Sequence, residues 1–440
     1  VPSARRGALP AGLLACYAAP AFPLAILGLP LNVYLPTFWG ETLGLGLTTV
    51  GLVLLATRLL DVVTDPLIGL LSDRSRGRLG RRRPWVAAAL PVAAPAVWLL
   101  FVPPEGAGAG HLFVTASLVY LGWTMLNIAH TAWGAELSGE YHQRTRVTAW
   151  REAATLGGII ASALVPALMP GGIAADLRAL AFATLALAIP AFAMLFLAVP
   201  DTAAAPAPLQ RQSLGALFAP LLANRAFRRL ISAWVVNGIA NGLPAALFLL
   251  VVTHLLVAED KAGLLLLAYF LAAILAVPGW TAVAARMGKH RTWCTAMLWA
   301  SVVFGFVPLL GAGDWLAFLV ISILSGAALG ADLALPPAIQ ADVVDLDRLE
   351  TGEGRAGLLF ALASMAQKLG NALAVGLGLP LLELLGFRTD GGVQGLGALV
   401  ALYCGAPILL KLIAVAIMWH FPIDRAEQER LRARIEAAAQ

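Results

Sequence analysis

Twelve long apolar runs, separated by short polar breaks, leave this chain very few ways to fold. Each run is close to the ~20 residues that cross bilayer hydrocarbon as a helix. Their approximate bounds are 11–39, 47–72, 84–103, 110–138, 148–170 and 177–198, then 227–256, 261–285, 291–311, 315–340, 355–386 and 394–422. Backbone groups in hydrocarbon must bond internally, so spanning segments are helices or the strands of a closed barrel. Barrel strands would alternate apolar and polar every second residue, and these runs do not. Composition agrees: 60% of the 440 residues are apolar and 12% are charged, roughly half the charged share of a soluble domain. Arg5 and Arg6 precede an apolar stretch that continues to Trp39, longer than the roughly 7–15 apolar residues of a secretory signal. It reads as the first helix of an all-α membrane protein.

The longest polar break sets the domain organisation. It runs from the Pro/Ala-rich segment Ala203–Pro208 to Arg229 and splits the chain into a six-helix half over 1–198, a linker over 199–226, a second six-helix half over 227–422 and a tail over 423–440. The loop after the second run holds Arg74, Arg76, Arg78, Arg81, Arg82 and Arg83, whereas the opposite loops carry Glu41, Glu105, Glu259, Asp260 and Asp314. The positive-inside rule makes the Arg-rich loops, the linker and both termini cytoplasmic. The net charge of +5 therefore reports orientation, and a nucleic-acid partner is not expected. A weak internal repeat relates the halves: Pro66, Gly69, Asp73, Arg74, Gly80 and Arg81 after the second run are echoed by Pro278, Gly279, Arg286, Gly288, Lys289 and Arg291 after the eighth. Repeated six-helix halves with a basic loop between their second and third helices resemble the major facilitator fold, which places substrate near the membrane midplane.

The chemistry sits on the second helix. Asp61 lies about 18 Å along it from Asp73, at 1.5 Å per residue, well inside the hydrocarbon, and Asp65 is one turn further on. Spacing of i, i+4 puts both carboxylates on one face, beside Arg58. Two adjacent carboxylates cannot both stay charged in a low dielectric without a cation, so either one keeps a proton or both hold a small ion. A structural Arg58–Asp61 pair, with Asp65 capping backbone near Pro66, is the competing reading. Sodium or a proton is the expected coupling ion, and no other cofactor is expected. The loop residues Asp73, Arg74, Arg81, Arg82 and Arg83 read as a pin on the cytoplasmic ends of neighbouring helices. Asp342 and Asp345 read either as a gate partner for such loops or as a solvated turn. Lys368, a lone lysine in the middle of an apolar run, calls for an acid or a water-filled cavity, or else snorkels. Cys16, Cys294 and Cys404 lie in different runs with no metal-ligand spacing. No serine elbow or phosphate-binding glycine loop is present, so an enzyme is not expected.

The string RLLDVVTDPLIGLLSDRSRGRLGRRRPW resembles the second-helix signature of the glycoside-pentoside-hexuronide:cation symporter family. GWTMLNIAHTAWGAELS, RTRVTAWRE and TGEGRAGLLFALASMAQKLG agree with it, so the resemblance covers both halves. It implies a cation-coupled symporter of a small organic solute, a sugar or glycoside among the candidates, working by alternating access as a monomer in a bacterial-type cytoplasmic membrane. It also implies that Asp61 and Asp65 bind the cation and that Asn127, His130, Trp133, Arg151 and Lys368 line the substrate cavity. On the residues alone, Asn127 and His130 read equally well as hydrogen-bond links between helices, and Arg151 with Glu152 as an ion pair near a helix end. The family's acid on the first helix is missing, since Tyr17 to Leu31 holds no Asp or Glu, and Asn127 stands where a sugar-binding acid is found. A lysolipid-like or other amphipathic solute is the alternative substrate.

Overall fold

The second helix shows how these sequences become membrane helices with an inner and an outer face. Leu59, Val63 and Leu67 recur every four residues and are all about half exposed, a stripe of the kind that faces lipid. Asp61 and Asp65 are offset from that stripe by two residues, about 200° around a helix of 3.6 residues per turn. The sequence therefore turns the acids inward while it turns leucine and valine out.

The computed structural model describes residues 9–75, 80–138, 140–168, 171–201, 224–351, 356–389 and 392–423, with Glu427 and Arg430 of the tail. Most of the linker and of the tail, and the side chains of Asp73 and Arg74, lie outside the described residues. Among those described, twelve helices are long and apolar enough to cross a membrane: α1 (Ala11–Thr42), α2 (Leu47–Gly69), α3 (Arg83–Phe101), α4 (Ala109–Glu136), α5 (Gln143–Leu168), α6 (Ile173–Ala198), α7 (Arg225–Leu255), α8 (Glu259–Met287), α9 (Lys289–Leu309), α10 (Trp315–Asp347), α11 (Leu358–Leu384) and α12 (Leu396–Met418).

Several helices run past the bounds expected from hydropathy, α10 and α5 by the most. The helix of α2 continues to Arg74, that of α5 starts at Tyr141 and that of α10 reaches Thr351. Hydropathy marks where a helix leaves hydrocarbon, whereas the i to i−4 ladder continues into water if nothing breaks it. Arg144 and Arg146, expected in a loop, are consequently in the first turns of α5, and Arg151 is about three turns in rather than near a helix end. In α1 the α-helical ladder is interrupted within the span. Prolines 20, 23, 30 and 36 remove N–H donors, and wider π turns appear at Pro30–Tyr34 and Phe38–Thr42.

The chain divides into two compact units, one of Val1–Phe38 with Ala56–Pro208 and one of Trp39–Leu55 with Leu209–Gln440. The core of the first gathers Leu14, Tyr17, Val86, Leu126, Trp133, Phe192 and Leu195. Its α1 and α5 touch at Gly158, where any side chain would run into the carbonyl of Phe22. The core of the second is built around Phe227, Leu230, Trp293, Met297, Leu335 and Leu359. The second unit also takes in the first turns of α2, where Gly376 of α11 lets Leu55 approach: a Cβ on that glycine would lie 2.5 Å from the Leu55 Cβ.

Candidate functional site

One threonine organises the two acids of α2. The Thr124 hydroxyl, on α4, stands 2.7 Å from an oxygen of Asp61 and 2.7 Å from an oxygen of Asp65. A hydroxyl carries one proton and can donate to only one carboxylate. Asp61 is buried and Asp65 half-buried. Asp61 also offers its backbone carbonyl to Thr64 Oγ1 at 3.2 Å.

Arg58 sits one turn before Asp61, and its contacts come from α1 and α4. Its Nη2 donates to Asn32 Oδ1 at 3.1 Å, and its guanidinium lies 3.9 Å above the centre of the Tyr120 ring, a cation–π contact. Asn32 in turn donates to the Gly28 carbonyl at 2.7 Å, just before the first π turn of α1. The irregular part of α1 is thus tied to the charged face of α2.

The other residues expected at a substrate cavity fall into separate groups. Asn127 is exposed on α4. One turn on, Thr131 accepts from Arg151 Nη1 at 2.8 Å, and Arg151 Nη2 meets Glu152 at 2.6 Å. These four residues form one polar patch of the first unit. His130 is buried instead, its Nε2 2.7 Å from the carbonyl of Tyr17 and its ring stacked on Tyr17 at 4.5 Å. Trp133 is fully buried in the core. Its Nε1 donates to the Pro200 carbonyl at 2.9 Å, and Phe196 and the Arg83 guanidinium pack on its ring. His130 and Trp133 therefore link helices within the first unit rather than join Asn127. Lys368 is half-buried on α11, in the second unit.

The basic loop after α2 closes on its own unit. Arg82, 4% exposed, donates through Nη2 and Nε to Glu136 at the end of α4, at 2.6 and 3.1 Å, and through Nη1 to Ser72 at 2.8 Å. Arg81 adds a 3.7 Å pairing with Glu136, and Arg83 Nη2 donates to the Val199 carbonyl. Asp201 accepts the backbone N–H groups of Arg82 and Arg83 at 3.0 and 3.1 Å, a carboxylate at the N-terminus of α3, where the helix dipole favours it. The second unit repeats the arrangement with lysine. Lys289, at the start of α9, donates to both oxygens of Asp342 at 2.7 Å and to the Ala338 carbonyl at 3.2 Å. Asp345 stays exposed.

Sequence reasoning missed Thr124, Asn32, Tyr120, Glu136 and Asp201. A threonine or tyrosine inside an apolar run carries no charge signal, and Glu136 and Asp201 acquire meaning only through residues 54 and 119 positions away.

The profile of the family described as MFS/sugar transport protein matches residues 16–425. Over 96% of both chains this one is 27% identical to the uncharacterized symporter sll1374 of a Synechocystis strain. It is 24% identical to the mouse sodium-dependent lysophosphatidylcholine symporter 1, over 96% of this chain and 87% of that one. A 142-residue stretch is 34% identical to the inner membrane symporter YicJ of Escherichia coli, 31% of each chain. A crystal structure of the nucleoside transporter NupG superposes with a TM-score of 0.62 at 13% identity, covering 92% of this chain and 98% of that one, a likeness of fold. Twelve apolar helices, a basic pin repeated in both units and a profile match over nearly the whole length lead to one conclusion: the chain belongs to the MFS/sugar transport family, as a multi-pass transporter of the glycoside-pentoside-hexuronide:cation symporter type.

Proposed function

We propose that this protein is a cation-coupled symporter in which a sodium ion or a proton binds at Asp61, Asp65 and Thr124 and drives the entry of a small organic solute by alternating access. The observation that carries the reading is the single hydroxyl held 2.7 Å from two carboxylate oxygens. Two carboxylates that share one hydroxyl are an oxygen donor set suited to a proton or one small monovalent cation. The empty site keeps an uncompensated charge in a low dielectric, which opposes closure, and the loaded site is neutral. Asn127, Thr131, Arg151 and Glu152 offer hydrogen-bond donors and acceptors to the solute. The basic loops face the cytoplasm, and the membrane is of the bacterial inner-membrane kind.

A lysolipid-like solute is the second reading. It is favoured by an α1 with no acid between Tyr17 and Leu31 and by the full-length similarity to a lysophosphatidylcholine symporter. Uptake into proteoliposomes of a glycoside panel and of a lysophospholipid, with and without an inward cation gradient, separates the two.

The ion site is tested by melting temperature in Na⁺, Li⁺ or K⁺ across pH. A selective rise with one cation, lost in both Asp61→Asn and Asp65→Asn, identifies that cation by linkage. A pH response that disappears in both variants identifies a proton. Equal behaviour of wild type and variants under every condition would refute the site.

A further inference from the structure

The second unit holds a buried charged cluster that neither the pins nor the proposed cation site uses. Lys411 of α12 is 3% exposed. Its Nζ donates to Asn241 Oδ1 at 2.7 Å and Asn237 Oδ1 at 3.0 Å, both on α7, and lies 3.8 Å from Asp332 Oδ2 of α10. The same two asparagines turn their nitrogens to the acid. Asn237 Nδ2 donates to Asp332 Oδ1 at 3.1 Å and Asn241 Nδ2 to Oδ2 at 2.9 Å. Trp293 Nε1 of α9 also donates to Oδ1. Four helices meet here, and the charges sum to zero.

The donor set facing the ammonium is two amide oxygens and one carboxylate oxygen. Oxygens of this kind suit a hard monovalent cation. They do not depend on the lysine for their aim, because each amide is also anchored through its nitrogen to Asp332, and Asp332 is held by Trp293. Spacing of i, i+4 places Asn237 and Asn241 on one face of α7, so the frame is set by helix geometry.

We propose that the Asp332–Asn237–Asn241 cluster is a monovalent-cation site that the chain fills with its own ammonium, Lys411, and that it accepts a small primary alkylammonium ion once that side chain is removed. The second unit thus carries its positive charge on a tether. For transport, and resting on the function proposed above, this leaves one exchangeable cation per cycle.

The test uses the purified full chain in detergent. Lys411→Ala deletes three methylenes and the amine, the size of propylammonium, which is the probe. Tetramethylammonium at equal ionic strength, unable to donate hydrogen bonds, is the control. We expect Lys411→Ala to melt roughly 5–10 °C below wild type, because it strands a buried carboxylate. Propylammonium should restore at least half of that loss and tetramethylammonium none. Wild type, its site already full, should not respond, which separates this site from the acids of α2. A second variant, Lys411→Met with Asp332→Asn, removes both charges and should melt above Lys411→Ala with no response to the amine. If Lys411→Ala yields no folded protein, folded double variant supports the site and its absence overturns it. A Lys411→Ala protein as stable as wild type, or a loss that propylammonium and Asp332→Asn both leave unchanged, also overturns it.

Discussion

Each unit buries a polar cluster among its helices, and the two clusters solve the problem of buried charge differently. In the first, Asp61 and Asp65 share one hydroxyl, and Arg58, one turn earlier, lies over the Tyr120 ring. In the second, one acid faces one ammonium, and two asparagines hydrogen-bond to both. A balanced cluster fixes helices in place, because every donor has an acceptor and nothing is gained by opening it. If the first cluster holds the proposed cation, its stability depends on what is in solution. The comparison separates a part that responds to ions from a part that holds shape.

The largest effect follows from the acids. Asp61→Asn and Asp65→Asn each remove the charge that makes the site need a cation, and gradient-driven solute uptake should be lost while protein yield and fold are kept. Neutralising the site without loss of gradient dependence would break the comparison at its root. Next comes Thr124→Ala. A hydrogen bond to a charged group contributes about 1.5–3 kcal/mol, so the apparent affinity for the coupling cation should weaken roughly tenfold to hundredfold, with Thr124→Ser close to wild type. Equal weakening in both variants would show that the methyl group, and not the hydroxyl, matters.

How far the sequence reveals these clusters depends on charge. The spans and the acids of α2 stand out because ionisable residues are rare in long apolar runs. Lys411 and Asp332 sent the same signal as Lys368, a lone charge in an apolar run, and are overlooked because nothing near them in sequence pairs with them. Lys411 meets Asn237 across 174 positions. Thr124 could not be found that way, since a threonine suits a membrane helix on any face. The burial of His130 and Trp133 was hidden for a related reason: which side of α4 faces the core depends on Tyr17 and Pro200, far along the chain. Helix ends were misplaced where an amphipathic extension such as Ala341–Thr351 continues in water, because hydropathy describes the solvent and not the hydrogen-bond ladder.

The smallest differences test whether the two units are also unequal at their basic pins. Arg82 is buried, bonded to Glu136 and Ser72, and tied to α3 through Asp201. Breaking a buried pair by removing one partner costs about 3–5 kcal/mol, so Arg82→Met should lower the melting temperature by several degrees and Glu136→Gln by less. Lys289 is 27% exposed and its partner Asp342 13%. Water screens such a pair, and a contribution of about 1 kcal/mol or less is expected. Lys289→Met should therefore shift melting by no more than about 1–3 °C, and 0.5 M salt should erase the difference from wild type while leaving that of Arg82→Met largely intact. Equal losses at the two pins would mean that the repeated loop carries equal load in both units. The asymmetry would then be confined to the membrane clusters, one with two acids on a shared hydroxyl and one with an acid and its own ammonium.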